Sequence, residues 1–265
     1  MGTFMGHVIP GSFFLVFGTW WTSQIAYRYA RAQARRGLPY RSSVTFPCPG
    51  CLRSVPVEAI LKVVLCSIGI AGEVVTGFRD GKFVNYGNAQ HSVMFLLFGL
   101  TGVVDVALHY HRGAPPGIDY AAGALAFTVE GLLFVQHLHG RTPLDRQLHE
   151  LLYCTIFACA VSVVAEARRR RSAVAALSRA YFTLLQGSWF MQAAVVLYSP
   201  LPGAVPWAAD DHTQMTMVTV IFAWHCVGVL VYMAAVYGAE LTRLQARSDR
   251  AVHVKSFGGR MQMQI

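Results

Sequence analysis

The chain has 265 residues, of which 54% are apolar and only 13% charged, and its formal net charge is +9. Soluble domains carry about twice that share of charge, so composition excludes one large soluble domain or two small ones. The basic excess does not indicate nucleic acid either. The basic residues stand in short stretches beside apolar runs, a placement that suits membrane topology and anionic lipid heads.

A mostly apolar run of roughly 20 residues crosses the hydrocarbon core as a helix. The first such run, residues 4–27, is followed rather than preceded by its basic cluster (Arg28, Arg31, Arg35 and Arg36), and no small-residue cleavage site ends it. It therefore reads as a retained anchor and not as a signal peptide. Six further runs follow at 57–78, 91–110, 120–137, 148–167, 175–198 and 214–241. Residues 242–265 read as a disordered tail. Long continuous runs favour helices over barrel strands, which would be shorter and alternate apolar with polar. The expected fold is an all-α membrane protein: a single polytopic domain with a seven-transmembrane-helix bundle.

Orientation follows from the basic residues. Of the 22 Lys and Arg, 17 fall in the connections after spans one, three and five and in the tail, 4 fall on the other side, and Lys62 lies within a span. This bias places the first side in the cytoplasm, with the N-terminus extracytoplasmic and the C-terminus cytoplasmic. Trp20, Trp21 and Trp207 near span ends serve as interface anchors.

Ionisable groups inside spans are costly and are functional candidates by default. With this topology His7, His91, His137, His139, His149 and His212 gather near the extracytoplasmic ends, with Asp211 beside them. Glu73 lies about 7 Å inside its span, Glu130, Gln186 and His225 roughly 12–18 Å, and Asp105 about 21 Å below His91, at ~1.5 Å rise per residue. Glu130 and His137 share a helical face, as do His91 and Asp105. His137 and His139 cannot both face the interior unless the helix ends at Gly140. Three readings stand side by side. In the first, these groups and Gln192 satisfy each other between helices. In the second, His91, Glu130, His137 and His225 hold a divalent metal such as zinc. In the third, His and acids relay protons or ions.

Cys48 and Cys51 have CxxC spacing without the βαβ surroundings of a redox motif, and the pair supplies only two of four zinc ligands. They read as a turn in a cytoplasmic loop. The other cysteines read as packing residues. There is no P-loop, nucleophile elbow or HExxH motif. Gly69, Gly72, Gly99 and Gly102 have spacing suited to close helix packing.

Combined features mark a resemblance. They are Gly6-His7, Pro10-Gly11, Trp20-Trp21, Ala71-Gly72-Glu73, Gln90-His91, Asp105, Glu130, His137, His139-Gly140-Arg141, Leu144-Asp145, His149, Leu185-Gln186-Gly187-Ser188-Trp189-Phe190, Gln192, Asp211-His212 and Trp224-His225. Across nearly the whole chain the sequence resembles the transmembrane protein 45 family, which includes the transmembrane epididymal proteins. The loop at Arg79 to Ala89, the CPGC segment and the tail depart from it. The resemblance implies a multi-pass protein of Golgi, endosomal or plasma membranes and brings no established reaction. The functional expectation is a non-enzymatic scaffold or interaction protein in the lipid bilayer, with membrane-protein partners and a His/acid-lined interior that binds a metal ion. The alternatives are a proton or metal-ion transporter and an intramembrane metal-dependent hydrolase.

Overall fold

The computed structural model describes residues 3–34, 39–48, 50–111 and 113–262, with side chains described as far as Arg247. Arg35, Arg36 and Arg112 of the charge count, Pro49 of the CxxC segment, and the side chains of Arg250, Lys255 and Arg260 lie outside the described residues.

Seven α-helices occupy most of the described residues: α1 (Phe4–Ala34), α2 (Val57–Gly77), α3 (Tyr86–Tyr110), α4 (Ile118–Gln136), α5 (Pro143–Arg168), α6 (Ala173–Leu197) and α7 (His212–Gln262). Six of them, α2 to α7, are long and apolar enough to cross a membrane. The chain is therefore an all-α, multi-pass membrane protein. α1 is 31 residues long but carries Ser12, Thr19, Thr22, Ser23 and Gln24, which dilute its apolar character.

Local chemistry sets several boundaries. Asn85 caps α3 by accepting from Gly87 N at 3.2 Å, so the helix starts five residues before the expected 91. Thr142 accepts from Asp145 N at 3.4 Å with Pro143 behind it, which starts α5 at 143 rather than 148. α4 ends at Gln136, and a turn with Gly140 at φ 75° closes the segment. Two findings differ from expectation. Residues 242–262, read as disordered, continue α7 as helix. Leu244, Gln245, Ala246 and Arg247 are good helix formers, and no Gly or Pro intervenes before Gly258. The segment after α2 forms a small hairpin, β1 (Phe78–Arg79) against β2 (Lys82–Phe83). Its turn, Asp80-Gly81, has φ of 50° and 72°, the left-handed pair that an Asp-Gly dipeptide accommodates.

The helices alternate in direction, so the start of α1, the end of α2, the start of α3 and so on share one end of the bundle. α1 packs most extensively on α6, and α2 on α3; α3, α4, α5 and α6 follow each other around the bundle, and α7 lies against α1 and α6. Lipid is as apolar as leucine, so close van der Waals fit must hold such helices together. The α1–α6 seam shows this. A Cβ on Gly187 would stand 2.9 Å from both Gly11 O and Leu15 N, and one on Gly18 would stand 2.7 Å from Leu184 Cγ. In the α2–α3 seam Gly102 approaches Ala59 O and Gly69 approaches Phe95, whereas Gly72 faces nothing within 4 Å and takes no part.

Backbone atoms cannot yield to a new methyl as a flexible side chain can. Gly187→Ala is therefore expected to destabilise the protein by about 1–3 kcal/mol, the usual cost of overpacking. Gly123→Ala, whose Cβ would meet Val163 at an ordinary 3.7 Å, should be neutral or slightly stabilising. Thermal unfolding of both variants in detergent checks this. Equal melting temperatures would contradict the seam.

Candidate functional site

The end of the bundle where α1 finishes and α2 begins holds buried charge. Glu58, in the first turn of α2, is 4% exposed and accepts three hydrogen bonds: from Trp20 Nε1 (2.9 Å), Trp21 Nε1 (2.7 Å) and Phe46 N (2.9 Å). Lys62, one turn on, lies 3.7 Å from Glu58 and donates to Asp105 Oδ2 of α3 at 2.9 Å. Beside this set, Arg179 of α6 pairs with Glu166 of α5, and Tyr120 of α4 donates to the other Glu166 oxygen at 3.2 Å. Residues 39–47 close this end: Ser42 Oγ meets Tyr120 Oη at 3.1 Å, and Arg179 Nη2 donates to Ser43 O at 3.1 Å. Trp21 links the two sets, with the Arg179 guanidinium 4.1 Å and the Lys62 ammonium 5.7 Å from its ring.

The opposite end carries a row of imidazoles. His7 (α1) stands 5.5 Å from His149 (α5), His149 stands 6.0 Å from His137, and His137 stands 5.4 Å from His91 (α3), all between ring centroids. Each Nδ1 faces an acceptor: Thr3 O at 3.0 Å, Asp145 O at 2.8 Å, Gln90 Oε1 at 2.8 Å and Glu73 Oε1 at 3.3 Å, for His7, His149, His137 and His91 respectively. Such a bond fixes which ring nitrogen carries the proton and leaves Nε2 with its lone pair. Arg141 pins the row from outside by binding both oxygens of Asp145 at 2.7–2.8 Å.

Between the two ends runs a cavity of about 140 Å³, reaching from His7, His91, His137 and His149 to Lys62 and Arg179. Its middle is walled by aromatic rings, among them Phe14, Phe98, Phe127, Phe134 and Phe190, which meet mostly edge to face with centroids 5.1–6.3 Å apart. Glu130 is the acid in that middle section, and Gln186 Nε2 donates to its Oε1 at 2.9 Å.

The structure redistributes the expected site residues. His91 and His137 do come together, joined by His7, His149 and Glu73. Glu130 instead pairs with Gln186. His225 lies in the α6–α7 contact, bonded to Ser188 Oγ at 3.1 Å and Gln192 Oε1 at 3.3 Å with Trp189 beside it, and does not line the cavity. The set His91, Glu130, His137 and His225 is therefore not assembled, because α7 packs outside the ring of helices that encloses the cavity. Asp105 shares a helical face with His91 but belongs to the opposite end, paired with Lys62. His139 is exposed and faces Gln136 O, Asp211 caps α7 through Thr213 N at 2.7 Å, and His212 is exposed. Among the described residues no three His, Cys, Asp or Glu side chains form a group that could hold a metal ion. Glu58, Glu166, Arg179 and Tyr120 escaped the sequence reading. Their signal was an acid near the end of an apolar run, which marks a partner as readily as a site.

A family model described as a family of unknown function (DUF716) matches residues 116–238. Transmembrane epididymal protein 1A of Mus musculus is 27% identical over 258 residues, covering 91% of this chain and 81% of that protein. Transmembrane epididymal protein 1 of Rattus norvegicus is 28% identical over 256 residues, covering 90% and 81%. The Homo sapiens protein of that name is 29% identical over 150 residues, 56% of this chain and 55% of that protein. Along most of its length the chain is similar to the transmembrane epididymal proteins. The segment matched by the family model runs from α4 into α7 and holds Glu130, His137, His149, Glu166, Arg179 and Gln186, whereas Glu58, Lys62, His7 and His91 lie outside it.

The Glu166–Arg179 pair yields a direct test. Removing one partner of a buried ion pair strands the other, so Glu166→Gln is expected to cost about 3–5 kcal/mol. Glu166→Leu combined with Arg179→Met should cost less than either single change. Unfolding of Glu166→Gln, of Glu166→Leu and Arg179→Met singly, and of the double variant in detergent checks this, and additive losses would contradict the pairing.

Proposed function

We propose that this relative of the transmembrane epididymal proteins is a non-catalytic, seven-span membrane protein whose interior binds a slim, largely apolar molecule. The observation that carries this reading is the cavity itself. It is aromatic through its middle and polar at both ends, with few polar groups converging on it, the composition of a small-molecule site. Its volume of about 140 Å³ is near that of an engineered apolar cavity that takes up benzene, so the occupant is one narrow chain or ring and not a two-tailed lipid. Burial of aliphatic surface against the Phe rings supplies the attraction, and the imidazole end supplies polar contacts. Bound molecule and partner recognition are joined in this reading: filling the cavity stiffens the helices that a membrane-protein partner meets.

α1 is the seventh span in this proposal, and the N-terminus is extracytoplasmic. Its packing along the full length of α6 and the distribution of 17 against 4 basic residues support that direction. The aromatic wall weighs against an ion path, because ions need a continuous polar lining. The separation of His225 from His91 and His137 weighs against the hydrolase.

One observation favours a second reading, a divalent metal at the imidazole end. Three rings whose Nδ1 is hydrogen-bonded, and His91 with its Nδ1 3.3 Å from Glu73, are suitable ligands through Nε2, although they stand in a row and would have to turn toward one point. Metal analysis of purified wild type against His137→Ala tests it: stoichiometric zinc lost in the variant supports the second reading, and no metal in either sinks it.

For the main reading, bromo-octane is expected to quench tryptophan fluorescence saturably in the detergent-purified full chain, since Trp21 lines the cavity. Gly123→Leu, which projects into the cavity, should weaken that binding at least tenfold while melting like wild type. Identical, non-saturable quenching in both proteins would overturn ligand binding. Topology is checked in intact cells. A cysteine in Asp210→Cys should react with an impermeant reagent and one in Arg247→Cys should not, and the reverse pattern would refute the orientation.

A further inference from the structure

Glu130 has a carboxyl group that is only half used. Gln186 donates to Oε1 at 2.9 Å, and Cys159 Sγ donates to Gln186 Oε1 at 3.3 Å. This relay across α4, α6 and α5 fixes the direction in which the carboxyl points. Oε2 has no hydrogen-bond partner among the described residues, although Glu130 is only 3% exposed. The side chain lines the cavity, and its neighbours along that wall are Phe127 and Phe134, one helical turn away on either side. A buried polar atom left unpaired is costly, and native proteins pair nearly all of them. An oxygen left without a partner in the wall of an apolar cavity is thus a place made for a ligand atom.

We propose that Glu130 Oε2 is the polar anchor of the cavity and that the occupant is a single-chain amphiphile bearing a hydroxyl group. This rests on the ligand-binding reading above and assigns its chemistry. A hydroxyl donates and accepts, so it bonds to the carboxyl whether or not that group is protonated. An ammonium would have to shed its hydration to pass the Phe rings. A carboxylate would meet like charge where Glu130 is ionised and would have to shed its own hydration in either case. The narrow volume admits one alkyl chain, whose body lies against Phe14, Phe98 and Phe127 while its oxygen meets Glu130.

The experiment compares bromo-octanol with bromo-octane as quenchers of tryptophan fluorescence in the detergent-purified full chain. The two probes differ in the hydroxyl alone. Wild type is expected to bind the alcohol about tenfold more tightly. Glu130→Leu should abolish that preference while still binding bromo-octane. Glu130→Gln keeps an oxygen for Gln186 and presents an amide to the cavity, so it should retain most of the preference and serves as the variant that preserves the fold. Equal binding of the two probes by wild type, or a preference that survives in Glu130→Leu, overturns the anchor while leaving the ligand-binding reading intact. Failure of wild type to bind either probe overturns both. If Glu130→Leu does not fold, loss of the alcohol preference in Gln186→Leu, which frees the carboxyl from its relay, supports the anchor, and an undiminished preference there overturns it.

Discussion

A buried carboxylate must find donors, and in this protein the donors of Glu58 come from two separate stretches of chain. Two indoles from α1 and the backbone of Phe46 reach it, and Lys62 carries the connection on to Asp105 of α3. Trp21 then passes the connection to Arg179, whose partner Glu166 is bound by Tyr120. Each charge here compensates another, and loss of one strands its neighbour. This interlock ties α1 through α6 to the segment 39–47 at one end of the bundle. Helix packing alone could not do so, because α1 and α2 share few close backbone contacts.

Above the interlock the helices are free to diverge, and that divergence is the cavity. α1 and α6 stay in close contact through Gly11, Gly18 and Gly187, while the α2–α3 pair stands off across a layer of Phe side chains. Space, aromatic walls and one half-paired acid result. At the far end the imidazole row is held by backbone and amide acceptors, leaving its Nε2 atoms for whatever enters.

Much of this fold could be read in the sequence, since apolar run length and caps are local properties. The runs at 57–78 and 175–198 match α2 and α6 closely, and the polar groups at Glu73, His91, His137 and His149 do share one end. Phase and depth failed where partners decided the outcome. Asp105 lies on the face of His91 but its carboxylate follows Lys62, and depth alone cannot distinguish a pair from a site. His225 has the right depth but sits on α7, and no local signal shows that α7 packs outside. Glu58 and Glu166 look like run ends until their donors, a dozen or more residues away, are placed beside them. The family model covers the segment with Glu130 and Gln186 without assigning them a role.

We propose the space between the interlock and the imidazole row as a ligand site. A cryo-electron-microscopy map of the full chain, purified from a membrane and held in a lipid nanodisc, tests it most directly. Narrow non-protein density is expected to lie along Phe14, Phe98 and Phe127 and to end within hydrogen-bond distance of Glu130. A bundle in which those rings close on one another and leave no space beside Glu130 would contradict it.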